Sequence, residues 1–503
     1  MPSKHVDVLI IGAGLSGVGA ACHLTMQCPD KTFALLEGRD AIGGTWDLFR
    51  YPGIRSDSDM YTLGYSFKPW TNEKAIADGE SIRNYICETA DEYNVTDKIH
   101  FGHMVESAEW STEDATWTVT ALNKKTRRKT TFTCNFLLSC TGYYNYEAGF
   151  TPDFPGKDDY QGTFIHPQHW PEDLDYSGKK VVVIGSGATA VTLVPAMTDK
   201  AAHVTMLQRS PTYVATVPEK DAISKQLRRF LPEKVVYRLA RTRNVGLQMF
   251  VYKLSKKQPK LVRKLLLKQA QMQLGKDFDM SHFSPSYNPW DERLCAVPDG
   301  DLFKVLRKGK ASVVTDHIDT FTENGIRLKS GKELEADIVI SATGLDLKLL
   351  GGTEIKVDGK PFDITQATAY RALMLSDVPN AAMIFGYTNA SWTLKADISC
   401  EYICRVLKHM DKTGTRQCTP RMNDASIVET PFLDMQSGYI QRAAGRFPKQ
   451  GSKAPWKVQQ NYAFDLAQLR YTKVDDGVMV FSNPKPAAVR RASSARASLK
   501  ASA

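Results

Sequence analysis

The chain contains no run of about 18 consecutive apolar residues, so no segment is expected to span a bilayer as a helix. No Cys-x-x-Cys pair occurs among its nine cysteines, which argues against a dithiol reductase, a zinc site and a disulfide framework and fits reduced thiols. The N-terminus lacks a basic n-region, a separate apolar h-region and a small-residue cleavage site, and enters the apolar run Val6–Ile11 almost at once. A cytoplasmic location is therefore the expectation. Acidic residues are scarce in one stretch. Between Glu219 and Lys276, three acids (Glu219, Asp221, Glu233) stand against 16 Lys and Arg, a local balance of +13. The whole 503-residue chain carries +10, so the remainder is slightly acidic (10 − 13 = −3). General binding to nucleic acid is a poor explanation of that pattern; a single basic segment is a better one.

What is present begins at the N-terminus. Val6–Ile11 reads as a buried parallel strand. It runs directly into Gly12-x-Gly14-x-x-Gly17, then a helix-like stretch from Val18 to Cys28, then a second strand, Lys31–Leu36, ending on Glu37. Strand, glycine turn, helix, strand and acid form a dinucleotide fingerprint with its context intact. Gly12 makes the turn, Gly14 lets backbone approach a pyrophosphate, and Gly17 lets helix pack on strand. Ser16 lies at the helix N-terminus that faces the phosphates, and Glu37 can accept from ribose hydroxyls.

The pattern recurs from Lys180. The strand Val181–Ile184 leads into Gly185-Ser186-Gly187-Ala188-Thr189-Ala190, a helix start, and a second strand, Val204–Leu207, ending in Gln208-Arg209 where the first unit has Glu37. An acid at that place selects a free 2′-hydroxyl, whereas an arginine can pair with a 2′-phosphate. The first turn thus suits FAD and the second NADPH. Each is followed, much later, by an apolar strand closing on Thr-Gly, Thr130–Ser139 before Gly142 and Ala336–Ser341 before Gly344, as in a degenerate internal repeat. The expected fold is α/β, with two Rossmann-like dinucleotide-binding domains and a helical insertion in the second. Its expected segments are 1–145 (first domain), 146–215 (second domain, with a connector at 160–171), 216–290 (basic helical insertion), 291–335 (second domain, continued), 336–483 (return to the first domain) and 484–503 (a disordered basic tail).

Three further stretches carry chemistry. Gly43 to Asp57 is too rich in glycine and proline for a helix or central strand, and its polar and aromatic residues suit a loop against a flat ring. Tyr160 to Pro171, with Gly162, His166, Trp170 and Pro171, is a stiff aromatic connector between the two glycine turns, its prolines holding His166 and Trp170 extended. Glu219–Lys276 reads as basic amphipathic helix, for which an anionic membrane surface is a candidate partner beside a merely solvated face. Arg293 sits among Pro289, Trp290, Leu294 and Cys295, either bridging to a carboxylate or addressing an anion. Trp392, at the start of a helix reaching about Met410, is a candidate pocket residue.

Together these motifs resemble the class B flavin-dependent monooxygenases, and within them the type I Baeyer–Villiger monooxygenases. The connector matches that family's fingerprint as Tyr160-x-Gly162-x-x-x-His166-x-x-x-Trp170-Pro171, with Tyr160 where the family has Phe. Gly43 to Asp57 matches a second signature in full. Arg50–Leu63, His166–Asp175 and Gly386–Asp397 most resemble the mycobacterial, thioamide-activating branch. The resemblance implies FAD contacts at Gly12, Gly14, Ser16, Gly17, Glu37, Gly44, Thr45, Trp46, Asp47, Leu48, Asp57 and Val105. It implies NADP contacts at Arg55, Ser56, Asp57, Ile184, Gly185 to Ala190, Gln208 and Arg209. It marks Arg293 as catalytic, oriented by Asp57. A lysine often precedes that arginine in relatives; here Glu292 does, which weakens a strict preference for NADPH over NADH.

The activity so implied is insertion of one oxygen atom of O₂ beside a ketone carbonyl, through a C4a-peroxyflavin, to give an ester or lactone, with sulfide and thioamide S-oxygenation alongside. The alternative is a flavin-containing monooxygenase acting mainly on sulfur or nitrogen. His166 is read as a hinge or structural element rather than a general base, because it lies in the connector.

Overall fold

The computed structural model describes residues 4–292, 294–433 and 437–484. Its first sheet is built around Lys4–Ile11, whose inner residues Val8, Leu9 and Ile10 are wholly buried. Phe33–Leu36 and then Ile99–His100 lie parallel on one side of it, and Lys129–Ser139 lies parallel on the other. Lys129–Ser139 is long enough to serve two partners. Its first half pairs antiparallel with Thr116–Asn123, and its last three residues pair parallel with Ala381–Met383. Helix Leu15–Gln27 and the wholly or largely buried helix Trp392–Thr413 cover one face.

The second sheet repeats the plan. Lys180–Ile184 is central, with His203–Gln208 and Ala311–Thr315 on one side and Ile338–Ser341 on the other, all parallel. Both sheets therefore run third, second, first, fourth from the edge, the order of a dinucleotide-binding half. In each, the fourth strand abuts the strand before the glycine turn: Ser139 is in register with Ile11, and Ser341 with Ile184. The inferred repeat is real. One expected boundary moves, however. Ile338–Ser341 belongs to the second sheet, so the return to the first begins beyond Gly344 and not at 336. The connector contributes more than a tether: Thr163–Ile165 is the edge strand of the second sheet, parallel to Ile338–Ser341.

Between the second and third strands of that sheet come the consecutive helices Ala222–Leu227, Glu233–Lys257 and Pro259–Leu274, ahead of Asp301–Arg307. The longest is fastened to the first unit. The Tyr237 hydroxyl donates to the Tyr65 carbonyl at 2.8 Å, and Arg241 donates to the carbonyls of Tyr61 (2.8 Å) and Gly64 (2.7 Å). Arg241 also meets the buried carboxylate of Asp397 at 3.2 Å, which takes a further hydrogen bond from the Ser66 amide at 2.8 Å and faces His23 at 3.2 Å. Burial alone would raise the Asp397 carboxyl; the hydrogen bond and charge of His23, the charge of Arg241 and the Ser66 amide together hold it below its ordinary value. A carboxyl depressed on folding stabilises above its unfolded range of roughly 4, and that stability is lost as pH falls through the folded value. Removing one partner strands the other charge in the interior. Arg241→Ala is expected to cost about 3–5 kcal/mol in denaturant unfolding and to shift acid unfolding to higher pH.

Candidate functional site

The two glycine turns are closed by the strands that follow them. Gly12 has φ +101, and a Cβ placed on it would lie 2.7 Å from the Cys140 carbonyl oxygen. Gly185, at φ +140, would put its Cβ 2.3 Å from the Ala342 carbonyl oxygen. Both positions thus exclude a side chain twice, by conformation and by contact. The helices that leave these turns begin on Gly14 and Gly187, with no side-chain cap and no acid in the first turn. Their first amides are free of protein anions and face the turn, which is what a pyrophosphate requires. In the first unit Gly17 also packs on the turn, and Ala190 takes the corresponding buried place in the second.

Glu37 is buried at the end of its strand. It accepts from the Ala13 amide at 2.7 Å and the Arg39 amide at 2.8 Å. Burial pushes its carboxyl up, and those two amides and the Arg39 charge oppose the shift. The carboxylate is thereby aimed along the glycine turn, where a ribose would lie.

The signature loop from Gly43 to Asp57 touches both turns. Gly44 lies against Gly14, close enough that a Cβ on it would come within 3.0 Å of the Gly14 Cα. A single helical turn, Thr45–Leu48, follows, although the glycine content argues for plain loop; the turn is short enough to start on Gly44 and end before Pro52. Trp46 packs on the core of the first unit, whereas Leu48, Phe49 and Tyr51 bury in the core of the second. The Tyr51 hydroxyl is pushed up to about 12 by burial, against a hydrogen bond with Thr189 in the second glycine turn. Arg55 pairs with Asp301, at the start of helix Asp301–Arg307 in the second unit. Asp47 is buried and held by three guanidinium groups, Arg39 at 2.5 Å, Arg50 at 3.1 Å and Arg83 at 3.3 Å. Arg50 also reaches Glu172, just past the connector, at 2.8 Å. One loop thus fixes the distance between the two dinucleotide turns.

Other expected contacts are placed less directly. The Ser56 hydroxyl is turned onto the Ser58 carbonyl at 2.7 Å, and Asp57 is exposed. Val105 lies in the core of the first sheet. Arg293, the residue marked as catalytic by resemblance, lies outside the described residues, as does the tail beyond Pro484.

In the connector, His166 Nε2 lies 3.2 Å from the Gly344 carbonyl and Nδ1 accepts from the Gln168 amide at 3.2 Å. A carbonyl only accepts and an amide only donates, so the ring is neutral with its proton on Nε2. Burial holds its pKa below the ordinary value. Both nitrogens are committed to backbone groups, the Gly344 carbonyl and the Gln168 amide, so the ring is not a free base. A Cβ on Gly162 would strike the Tyr160 hydroxyl at 2.2 Å and the Asp337 carbonyl at 2.7 Å, and Trp170 packs on the core of the second unit beside Pro171.

At the mouth of the second turn, Gln208 points inward. Its amide nitrogen donates to the His282 carbonyl at 2.7 Å and to Thr315 at 2.9 Å, so that nitrogen is committed to the protein. Ser186 is held by Thr212 at 2.8 Å. Arg209 is exposed. Burial raises the carboxyl of half-buried Glu292, and the charge of Arg209 opposes that rise. Replacing Arg209 by Ala is expected to lower the kcat/KM preference for NADPH over NADH about tenfold or more, from the ~1.5–3 kcal/mol of a hydrogen bond to a charged group. Glu292→Lys is expected to raise the same ratio.

Sequence reading missed the partners Asp301, Arg39 and Arg83, and it missed what Trp392 does. The Trp392 indole donates to Ser16 Oγ at 2.7 Å and stacks on Tyr143 with centroids 5.3 Å apart at 15°. An aromatic plate from two distant segments therefore borders the N-terminus of the first dinucleotide helix.

Residues 4–360 match the family described as flavin-binding monooxygenase-like. The probable FAD-binding monooxygenase AlmA of Acinetobacter baylyi is 56% identical over 480 residues, covering 95% of this chain and 96% of its own. The FAD-containing monooxygenase EthA of Mycobacterium tuberculosis is 52% identical over 490 residues, covering 97% of this chain and 100% of its own. Among solved structures, the OTEMO complex with FAD and NADP superposes with a TM-score of 0.68 at 21% identity, over 84% of this chain and 87% of that one.

Proposed function

The chain belongs to the flavin-binding monooxygenase-like family, and from that premise we propose that it is an FAD- and NADPH-dependent Baeyer–Villiger monooxygenase that converts ketones to esters or lactones. The observation that carries the proposal is the signature loop. Its Gly43 and Gly44 lie on the first dinucleotide turn, its Tyr51 lies on the second, and Arg55 is clamped to Asp301. Two nucleotide sites held at one spacing by one loop suit transfer between two bound cofactors.

Bound FAD and NADPH supply the hydride transfer and oxygen activation. The chain's own residues bind and orient. The uncapped helix starting at Leu15 would hold the FAD pyrophosphate and Glu37 its ribose, while the helix starting at Ala188 and Arg209 would hold NADPH. The Tyr143–Trp392 plate closes one wall and limits water. By the resemblance, Arg293 would contribute a charge that cannot easily be lost, able to stabilise negative charge developing on oxygen during attack on the carbonyl, with Asp57 as its carboxylate partner. Soft sulfur accepts oxygen from the same source, so sulfides and thioamides are expected as further substrates.

The test is product analysis of the yellow protein with NADPH, O₂ and a panel of phenyl and long-chain aliphatic ketones beside sulfides. Esters from the ketones support the reading. Sulfoxides or N-oxides without any ester would assign the protein to heteroatom oxygenation instead.

A further inference from the structure

Ten of the fifteen exposed large apolar side chains among the described residues fall within 223–272, the inserted helices. Phe230 is 76% exposed, Met272 65%, Phe250 62% and Leu247 58%. They are spaced to form stripes. On Glu233–Lys257, Leu247, Phe250 and Val251 share the exposed side with Lys253 and Lys257; on Pro259–Leu274, Leu261, Leu265 and Met272 alternate with Lys260, Lys264 and Lys268. The buried sides of the same helices are accounted for by Tyr237, Arg241 and Ala270 in the interior. No helix among the described residues is long and apolar enough to cross a membrane.

We infer that the exposed side of this insertion docks on an anionic lipid surface. Charge complementarity selects the occupant. With 16 basic and three acidic residues between 219 and 276, a second copy would bring like charge to like charge across an isologous contact. Leucine, phenylalanine and methionine on the exposed side have no use on a phosphate backbone, but they insert at the headgroup boundary while lysines meet anionic headgroups. The helix is fastened to the first unit through Tyr237 and Arg241, so docking needs no detachment of the insertion. This inference is independent of which substrate the enzyme oxidises.

Flotation of the flavin-loaded protein with vesicles of phosphatidylcholine, alone or mixed with phosphatidylglycerol, tests it. Binding is expected to the mixed vesicles only and to weaken with added salt. Lys264→Gln with Lys268→Gln should lower the partition coefficient about 30-fold, from roughly a fivefold contribution per lysine near the surface. Phe250→Ser with Leu247→Ser should also release it, while NADPH oxidation stays unchanged. No flotation above the phosphatidylcholine control, or flotation indifferent to both double variants, overturns the inference. So does a concentration-dependent dimer abolished by Phe250→Ser in a protein that ignores vesicles, which assigns the surface to a second copy.

Discussion

Arg293→Ala is expected to keep its flavin and its oxidation of NADPH while losing ester formation by about 100- to 1000-fold, the usual loss when one preorganised oxyanion donor is removed. The reasoning is chemical. Attack on a ketone carbonyl builds negative charge on oxygen, and a guanidinium offers a positive charge that survives any pH at which the protein is folded. The residues proposed to bind FAD are others, Gly12, Glu37 and the helix that begins at Leu15, so binding should survive. The NADPH consumed should then appear as hydrogen peroxide. Arg293→Lys should recover part of the ester, since the charge returns without the planar fork. Ester formation at the wild-type rate in Arg293→Ala would remove Arg293 from the reaction.

The second large effect concerns the other nucleotide. Gly185→Ala should leave the protein yellow but slow its reduction by NADPH roughly 10- to 100-fold. The added methyl meets the Ala342 carbonyl oxygen at 2.3 Å, and the φ of +140 is itself unfavourable for alanine. Overpacking of this kind is typically worth about 1–3 kcal/mol, here expressed as displacement of the turn proposed to receive the pyrophosphate. Flavin content and far-UV circular dichroism distinguish lost docking from lost fold. Chemical reduction of the flavin should restore oxygen consumption in the variant. Unimpaired reduction by NADPH would place that nucleotide elsewhere.

Much of this was legible in the residues because the glycine turns are local. The constraint on Gly12 or Gly185 is met within a strand, a turn and a helix start, all contiguous, and the repeat at Lys180 announces itself by the same spacing. The strand closing each turn was also readable, since an apolar run ending in Thr-Gly occurs twice. What could not be read were pairings between segments far apart. Asp301 looks like an acid favouring its own helix N-terminus, and nothing in its neighbourhood points to Arg55, 246 residues away. Gln208 ends a strand, where a side chain can turn toward solvent or toward the interior; His282 and Thr315 decide that, and both lie far downstream. Trp392 was singled out for its setting, but its hydrogen bond to Ser16 spans 376 residues. The boundary set at 336 failed for a related reason: an apolar strand does not declare which of two sheets it will join.

The most direct measurement of the central claim is mass spectrometry of the product formed from a ketone under isotopically heavy O₂ with NADPH. An ester or lactone carrying one heavy oxygen atom is the predicted result. Unchanged ketone with all NADPH recovered as hydrogen peroxide, across a panel on which the same preparation oxidises a sulfide, would contradict it.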